Sequence, residues 1–235
     1  MNYSTLQTAN LSGIAIHDQG ISASEKIRHL NELNAMPQAF LDVMRESISI
    51  NLTAGSITEF AVFAHLKGVT PRGWEGSGYT WDDVPGAGST GGLYLGDSYR
   101  ANNAMSLAVH EASHSVDTAR SIRTDPIFLN AYNAEKNSPH AEDPNPAYRL
   151  QNPEEYLAMA IDEYYCRQET RNQLQKMYPK AYAFVANDLA SLLGRQTPGA
   201  GLGTYACSPC EDGQQYCGMY EADTWLSGGW ASCTL

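Results

Sequence analysis

Residues 102–117 read Asn102-Asn-Ala-Met-Ser-Leu-Ala-Val-His-Glu-Ala-Ser-His-Ser-Val-Asp117, a stretch without glycine or proline. Met105, Ala108, Val109, Ala112 and Val116 recur at helical spacing, so the segment is expected to be a helix with one apolar stripe turned to a core. Asn102 or Asn103 supplies an N-cap. On this helix His110 and His114 stand at i and i+4, one turn apart and pointing the same way. Two neutral imidazoles so placed can bind one zinc ion. Glu111, beside the first, can reach a water on that zinc and take its proton. The competing reading of His110-Glu-Ala-Ser-His114 is a surface helix with two solvated histidines. Histidines flanking an apolar stripe instead suit a helix lining the floor of a cleft.

The composition narrows what such a helix serves. Of 235 residues, 43% are hydrophobic and 17% charged, which places the chain among globular proteins and not disordered ones. No apolar run approaches the roughly 18 residues of a membrane span. The formal net charge of −11 excludes nucleic acid as a partner, because phosphate binding needs a basic surface. The expected partner is a peptide or protein substrate, and a monomer is expected. An acidic surface could favour basic substrates, although keeping the chain soluble explains it equally well.

Of five cysteines, Cys207, Cys210, Cys217 and Cys233 fall in the last 29 residues, and Cys166 stands apart. That tail is rich in glycine and poor in aliphatic residues, so crosslinks are expected to compensate for a missing core. Two disulfides imply an oxidising compartment and a secreted, extracellular protein. Three pairings are possible and the sequence does not choose among them. The alternative, a four-cysteine zinc site, is disfavoured because Cys217 and Cys233 do not mirror the close Cys207-Ser-Pro-Cys210 pair. Met1-Asn-Tyr-Ser-Thr has neither the basic start nor the apolar run of a signal peptide, so secretion implies a leader that is absent here.

The expected organisation is an N-terminal arm over residues 1–20, a catalytic domain over 21–195 and a Gly/Cys-rich extension over 196–235. Ser22-x-x-Glu25 opens a helix to about Asn34, and Pro37 a second to about Glu46. Ser47–Thr53 alternates like a strand. Residues 57–67 fit a helix or a strand, and residues 68–91 are loop. Gly92–Gly96 is a candidate strand, and Gly91–Leu95 the candidate edge along which a substrate would lie. Helices are expected at about 101–120, 126–136, 153–170 and 179–194, with Tyr148 in a loop after Pro144 and Pro146.

A catalytic zinc needs three protein ligands and one open position. No third histidine follows His114 at metzincin spacing, which leaves Glu154, Glu155, Asp162 and Glu163 as candidates that spacing does not separate. Ala147-Tyr-Arg-Leu-Gln-Asn-Pro-Glu-Glu-Tyr-Leu-Ala-Met-Ala160 resembles a tyrosine-and-glutamate block of the anthrax lethal factor-like metallopeptidases, a family that includes the secreted Pro-Pro endopeptidases. Met177-Tyr-Pro-Lys-Ala-Tyr-Ala-Phe-Val185, His65-Leu-Lys-Gly-Val-Thr-Pro-Arg-Gly-Trp74 and Thr80-Trp-Asp-Asp-Val-Pro-Gly86 are similar to further stretches, in the same order, so the likeness spans about residues 45–190.

The resemblance implies an α+β, zincin-like catalytic domain, mostly helical with a small mixed sheet. It implies Glu155 as third zinc ligand and Tyr148 as the catalytic tyrosine that donates to the oxyanion. The implied activity is zinc-dependent endopeptidase hydrolysis with Glu111 as general base. The alternative is a catalytically weak zinc-binding interaction module or a secreted toxin-like effector. One departure stands out: Met159 occupies a position where relatives carry a second glutamate, so a hydrogen bond near the zinc is missing or is replaced, with Asp162 the candidate. Asp117 is either an acceptor orienting His114 or another nearby group, or a solvated helix residue.

Overall fold

Local chemistry starts the chain's first elements. In the computed structural model, which describes residues 5–71, 74–97 and 104–195 together with three strand backbones between 204 and 232, a short strand β1 (Ile16–Gln19) precedes two helices. The Ser22 hydroxyl accepts from the Glu25 amide and starts α1 (Ala23–Asn34). Pro37, at φ −63°, leads into α2 (Gln38–Ser47), which buries Phe40, Leu41, Val43 and Met44. The chain then extends into β2 (Ser49–Thr53), where alternation puts Ile50 and Leu52 in the core. After a long loop come β3 (Gly86–Ser89) and β4 (Gly92–Leu95).

These strands form one mixed sheet in the order β1-β2-β4-β3. β1, β2 and β4 run parallel, and β3 returns antiparallel to β4 with Gly88 opposite Leu93. Helices follow: α3 (Leu107–Arg120), α4 (Pro126–Glu135), α5 (Pro146–Leu150), α6 (Pro153–Cys166), α7 (Gln168–Met177) and α8 (Pro179–Ala183). A π-helical turn (Phe184–Asp188) and α9 (Leu189–Leu193) complete them. One apolar cluster joins α1, α2, the sheet, α3, α6 and the last helices, with Leu33, Phe40, Leu52, Leu93, Val116, Phe128 and Ile161 among its buried members. A smaller cluster of Ile57, Phe60 and Phe63 holds the loop after β2, with Phe63 and Tyr94 in edge contact.

The chain divides at Arg195/Gln196. Beyond it, β5 (Thr204–Cys207), β6 (Gln214–Glu221) and β7 (Thr224–Ser232) form an antiparallel sheet in which Cys207 lies opposite Cys217. Cys210 and Cys233 lie outside the described residues. Cys166 is half-buried and forms no disulfide among the described residues. No helix there is long and apolar enough to cross a membrane.

Several elements differ from expectation, each for a tertiary reason. Residues 16–19 of the expected arm are an edge strand, because parallel pairing with β2 satisfies their backbone. Residues 57–67 are neither regular helix nor strand but two 3₁₀ turns, Ile57–Glu59 and Ala64–Leu66, pinned by aromatic packing. The expected loop over 68–91 contains β3. Consequently Gly91–Leu95 is not an edge: β4 lies between β2 and β3. The helix of the His-Glu motif begins at Leu107, with Ser106 as cap, and Met105 is exposed ahead of it; the expected caps Asn102 and Asn103 lie outside the described residues. Tyr148 sits on α5 and not in a loop. The helix expected over 153–170 breaks at Arg167, whose extended backbone separates α6 from α7.

Candidate active site

The N-terminus of α3 is fastened before the motif begins. The Ser106 hydroxyl accepts from the Val109 amide at 3.2 Å. From α6, the Asp162 carboxylate accepts from the Met105 amide at 2.6 Å and the Ser106 amide at 2.9 Å. A carboxylate on the orphan amides of a helix N-terminus also complements its dipole. Burial nevertheless pushes the Asp162 carboxyl up to about 7. Asp162 therefore anchors the motif helix and does not replace the glutamate missing at Met159, which is buried.

One turn inside α3, His110 and His114 meet Glu155, which stands in the first turn of α6. The Asn152 side chain caps α6 by accepting from the Glu155 amide at 2.8 Å. His110 Nε2 lies 3.1 Å from Glu155 Oε2, His114 Nε2 lies 3.7 Å from Glu155 Oε1, and the two Nε2 atoms are 3.3 Å apart. The ligand atoms of this trio all fall within 4.8 Å of one another. Of the four acidic candidates only Glu155 joins them. Glu154 pairs with Arg123 at 3.0 Å, Glu163 pairs with Arg149, and Asp162 holds α3.

The electrostatics suit a cation. Burial lowers the His114 pKa to about 4, with His110 adding to it, so His114 is held in the neutral form a metal requires. Burial opposes a charge on His110, but the Glu155 contact and the Glu111 and Glu155 charges outweigh it and raise its pKa. Burial likewise opposes ionisation of Glu155, yet the His110 bond and both histidines keep it below its usual range. Two imidazole nitrogens and a carboxylate oxygen converging on one point fit a divalent ion such as zinc. Among the described residues the buried His110 Nδ1 atom has no hydrogen-bond partner.

Glu111 and Tyr148 border this trio. Glu111 Oε2 accepts from the Gly88 amide of β3 at 3.0 Å, and burial raises its pKa. That contact needs a glycine, because a Cβ at Gly88 would lie 1.9 Å from the Glu111 carbonyl oxygen and 2.8 Å from His114 Cβ. The Tyr148 ring stacks on His110, centroids 6.4 Å apart and planes at 28°. Burial and then the Glu155 charge raise the Tyr148 pKa, so its hydroxyl keeps its proton.

Asp117 is an acceptor, as one of the two expectations had it, but for Arg123 and not for His114. It is buried, accepts from the Arg123 amide at 2.7 Å and faces the Arg123 guanidinium at 3.3 Å. Burial pushes its carboxyl up to about 6 against that guanidinium. Arg123 thereby ties the C-terminal half of α3, through Asp117, to the start of α6, through Glu154.

The sequence profile described as "Anthrax toxin lethal factor, N- and C-terminal domain" matches residues 14–188. The chain belongs to the anthrax lethal factor-like family, which includes the Pro-Pro endopeptidases. A Pro-Pro endopeptidase of Paenibacillus alvei is 34% identical over 174 residues, covering 72% of this chain and 79% of that protein. The Pro-Pro endopeptidase of Clostridioides difficile is 33% identical over 184 residues, 75% of this chain and 82% of that protein. The solved structure of the Pro-Pro endopeptidase PPEP-2 from Paenibacillus alvei superposes with a TM-score of 0.65 at 31% identity, over 76% of this chain and 98% of that one. Lethal factor-like membership thus accounts for the mixed sheet and the helices around the site. Reading the sequence missed Gly88, Arg123 and the anchoring role of Asp162. Only Gly86-Ala-Gly88, two glycines spaced for one face of a strand, carried a visible signal.

Proposed function

We propose that this chain is a zinc-dependent endopeptidase. The observation that carries the reading is the convergence of His110, His114 and Glu155 within 4.8 Å beside a half-buried carboxylate, Glu111, and a protonated phenol, Tyr148. His110, His114 and Glu155 would hold the metal, which when bound supplies a Lewis acid that makes water a competent nucleophile at neutral pH. Glu111 takes a proton from the attacking water and returns it to the leaving amine, and its raised pKa suits both transfers. Tyr148 donates its hydroxyl hydrogen to the oxyanion as charge develops there. Among the described residues β3 is the edge strand beside α3, so an extended peptide would add along Gly86–Ser89. The relatives are Pro-Pro endopeptidases, which makes a proline-proline bond the first substrate to try.

Secretion belongs to the same reading. Directly opposed positions on antiparallel strands have Cα atoms roughly 4.5–5.5 Å apart, a span that a disulfide bridges. Cys207 and Cys217 occupy such positions.

The test is cleavage of a peptide library by the zinc-loaded protein and by Glu111→Gln. The variant is expected to keep stoichiometric zinc while kcat/KM falls by about 10²–10⁴-fold. Near-native turnover in Glu111→Gln would remove Glu111 as base. A native protein that binds zinc but cleaves no peptide would favour the interaction-module alternative.

A further inference from the structure

The side chain after Tyr148 is the largest fully buried one among the described residues, and it is an arginine. Arg149 Nε donates to Asp143 Oδ2 at 2.8 Å, and its Nη2 donates to Glu163 Oε1. Its guanidinium lies 4.7 Å from the centre of the Tyr178 ring. Three parts of the fold therefore hold one side chain: the segment before α5, the far end of α6, and the residue that leads into α8. Asp143 uses its other oxygen to accept from the Asn145 amide at 2.9 Å, which fixes the entry to α5 as well.

Such an arrangement is costly. Burying charge is repaid only with good geometry and full hydrogen bonding, and well-packed apolar side chains often stabilise as much or more. Here, among the described residues, the buried Arg149 Nη1 and Glu163 Oε2 atoms have no hydrogen-bond partner. What charged, forked contacts provide beyond packing is direction. Direction is what α5 lacks by itself. It has five residues, too few to be stable alone, and Asn145 makes no side-chain capping bond. Apart from the arginine, the Tyr132 hydroxyl on the Leu150 carbonyl at 3.2 Å is a further restraint.

We infer that Arg149 is a positioning residue: the buried Asp143–Arg149–Glu163 triad sets α5 against α6 and so aims the Tyr148 hydroxyl at the site formed by His110, His114 and Glu155. The geometry supports this directly. Glu155 and Glu163 lie on one helix, so a clamp on Glu163 places α5 relative to the helix that carries Glu155. Tyr148 and Arg149 are neighbours on a helix and point roughly 100° apart, one toward His110 and the other into the interior. The inference rests on the endopeptidase reading and on the role of Tyr148 in it.

The experiment is a double-mutant cycle on the full-length, zinc-loaded protein: native, Arg149→Lys, Tyr148→Phe and the double variant. For each, kcat, KM, zinc content and thermal midpoint are measured. Arg149→Lys keeps the charge and loses the fork. It is expected to lower kcat about ten- to a hundred-fold, the effect of a misplacement of about 1 Å, with KM and zinc content unchanged. In the Tyr148→Phe background the same substitution is expected to cost no further kcat, because the group it aims is gone. Its thermal effect should be the same in both backgrounds.

A kcat loss of equal size with and without the Tyr148 hydroxyl would overturn the inference, since the triad would then act through general structure. Unchanged kcat in folded Arg149→Lys would overturn it as well. If Tyr148→Phe alone keeps native kcat, the assignment of Tyr148 falls first, and the inference with it. Loss of all cleavage in the native protein would instead refute the endopeptidase reading. Glu163→Gln keeps the shape of the triad and carries the same cycle should Arg149→Lys not fold. A smaller kcat loss that appears only when Tyr148 is present is the supporting result.

Discussion

His29 is a histidine that the proposed chemistry does not use. It is fully buried on α1, with Nε2 3.3 Å from the Gly96 carbonyl and 3.6 Å from Glu25. Arg28, Glu25 and Asp97 surround it, and burial, reinforced by Arg28, lowers its pKa to about 4. In the unfolded chain the value is near 6.5. The fold therefore favours the neutral ring, so the stability that His29 confers is complete above about pH 6.5 and is lost as pH falls toward about 4. The loss is on the order of 3 kcal/mol at most. Thermal midpoints measured across pH 4–7 should fall more steeply for the native protein than for His29→Gln; parallel curves would exclude His29 as the source. At this scale, His110, Glu111 and His114 were legible because spacing on one helix fixes their mutual direction. Asp117 and Asp162 were not, because the partners that define them, Arg123 and the amides of Met105 and Ser106, come from other parts of the fold.

Among the elements, β3 best shows how packing overrides local preference. Gly86-Ala-Gly-Ser89 has no β-branched or aromatic residue and belongs to a glycine- and proline-rich stretch, so propensity argues for loop. It is a strand because β4 pairs with it and because α3 can approach so closely only where side chains are absent. Gly88→Ala should push β3 away from α3 and release Glu111 from the Gly88 amide. We expect kcat to fall roughly ten-fold or more, with zinc content unchanged; native kcat in this variant would show that the amide contact does not matter. α5 was hidden for the opposite reason. Pro144 and Pro146 suggest a loop, yet proline is tolerated in the first turn of a helix, and buried contacts from outside complete the segment. Strand β2 and helices α1, α2 and α4 were legible from caps and periodicity alone.

On the scale of the whole molecule, the trio joins α3 to α6, two elements already linked by Asp162 and Arg123. A zinc ion bound there binds the folded state and not the unfolded one, so it stabilises by mass action, about 4 kcal/mol at a thousand-fold excess over Kd. Chelation should lower the thermal midpoint, zinc should restore it, and Glu155→Ala should abolish the response. An unchanged midpoint in the native protein would argue against zinc at this site. The sequence by itself determined the motif helix and the mutual placement of His110, Glu111 and His114 on it, because those relations repeat every 3.6 residues within one continuous segment. The resemblance to relatives singled out Glu155 and Tyr148, which spacing left open. Only the tertiary structure brought Glu155 to His110 across 45 residues, made β3 the edge beside the site and buried Arg149 under Tyr148. Those relations depend on close approach between distant segments, which is settled by packing and by the pairing of buried polar groups, and no local pattern records it.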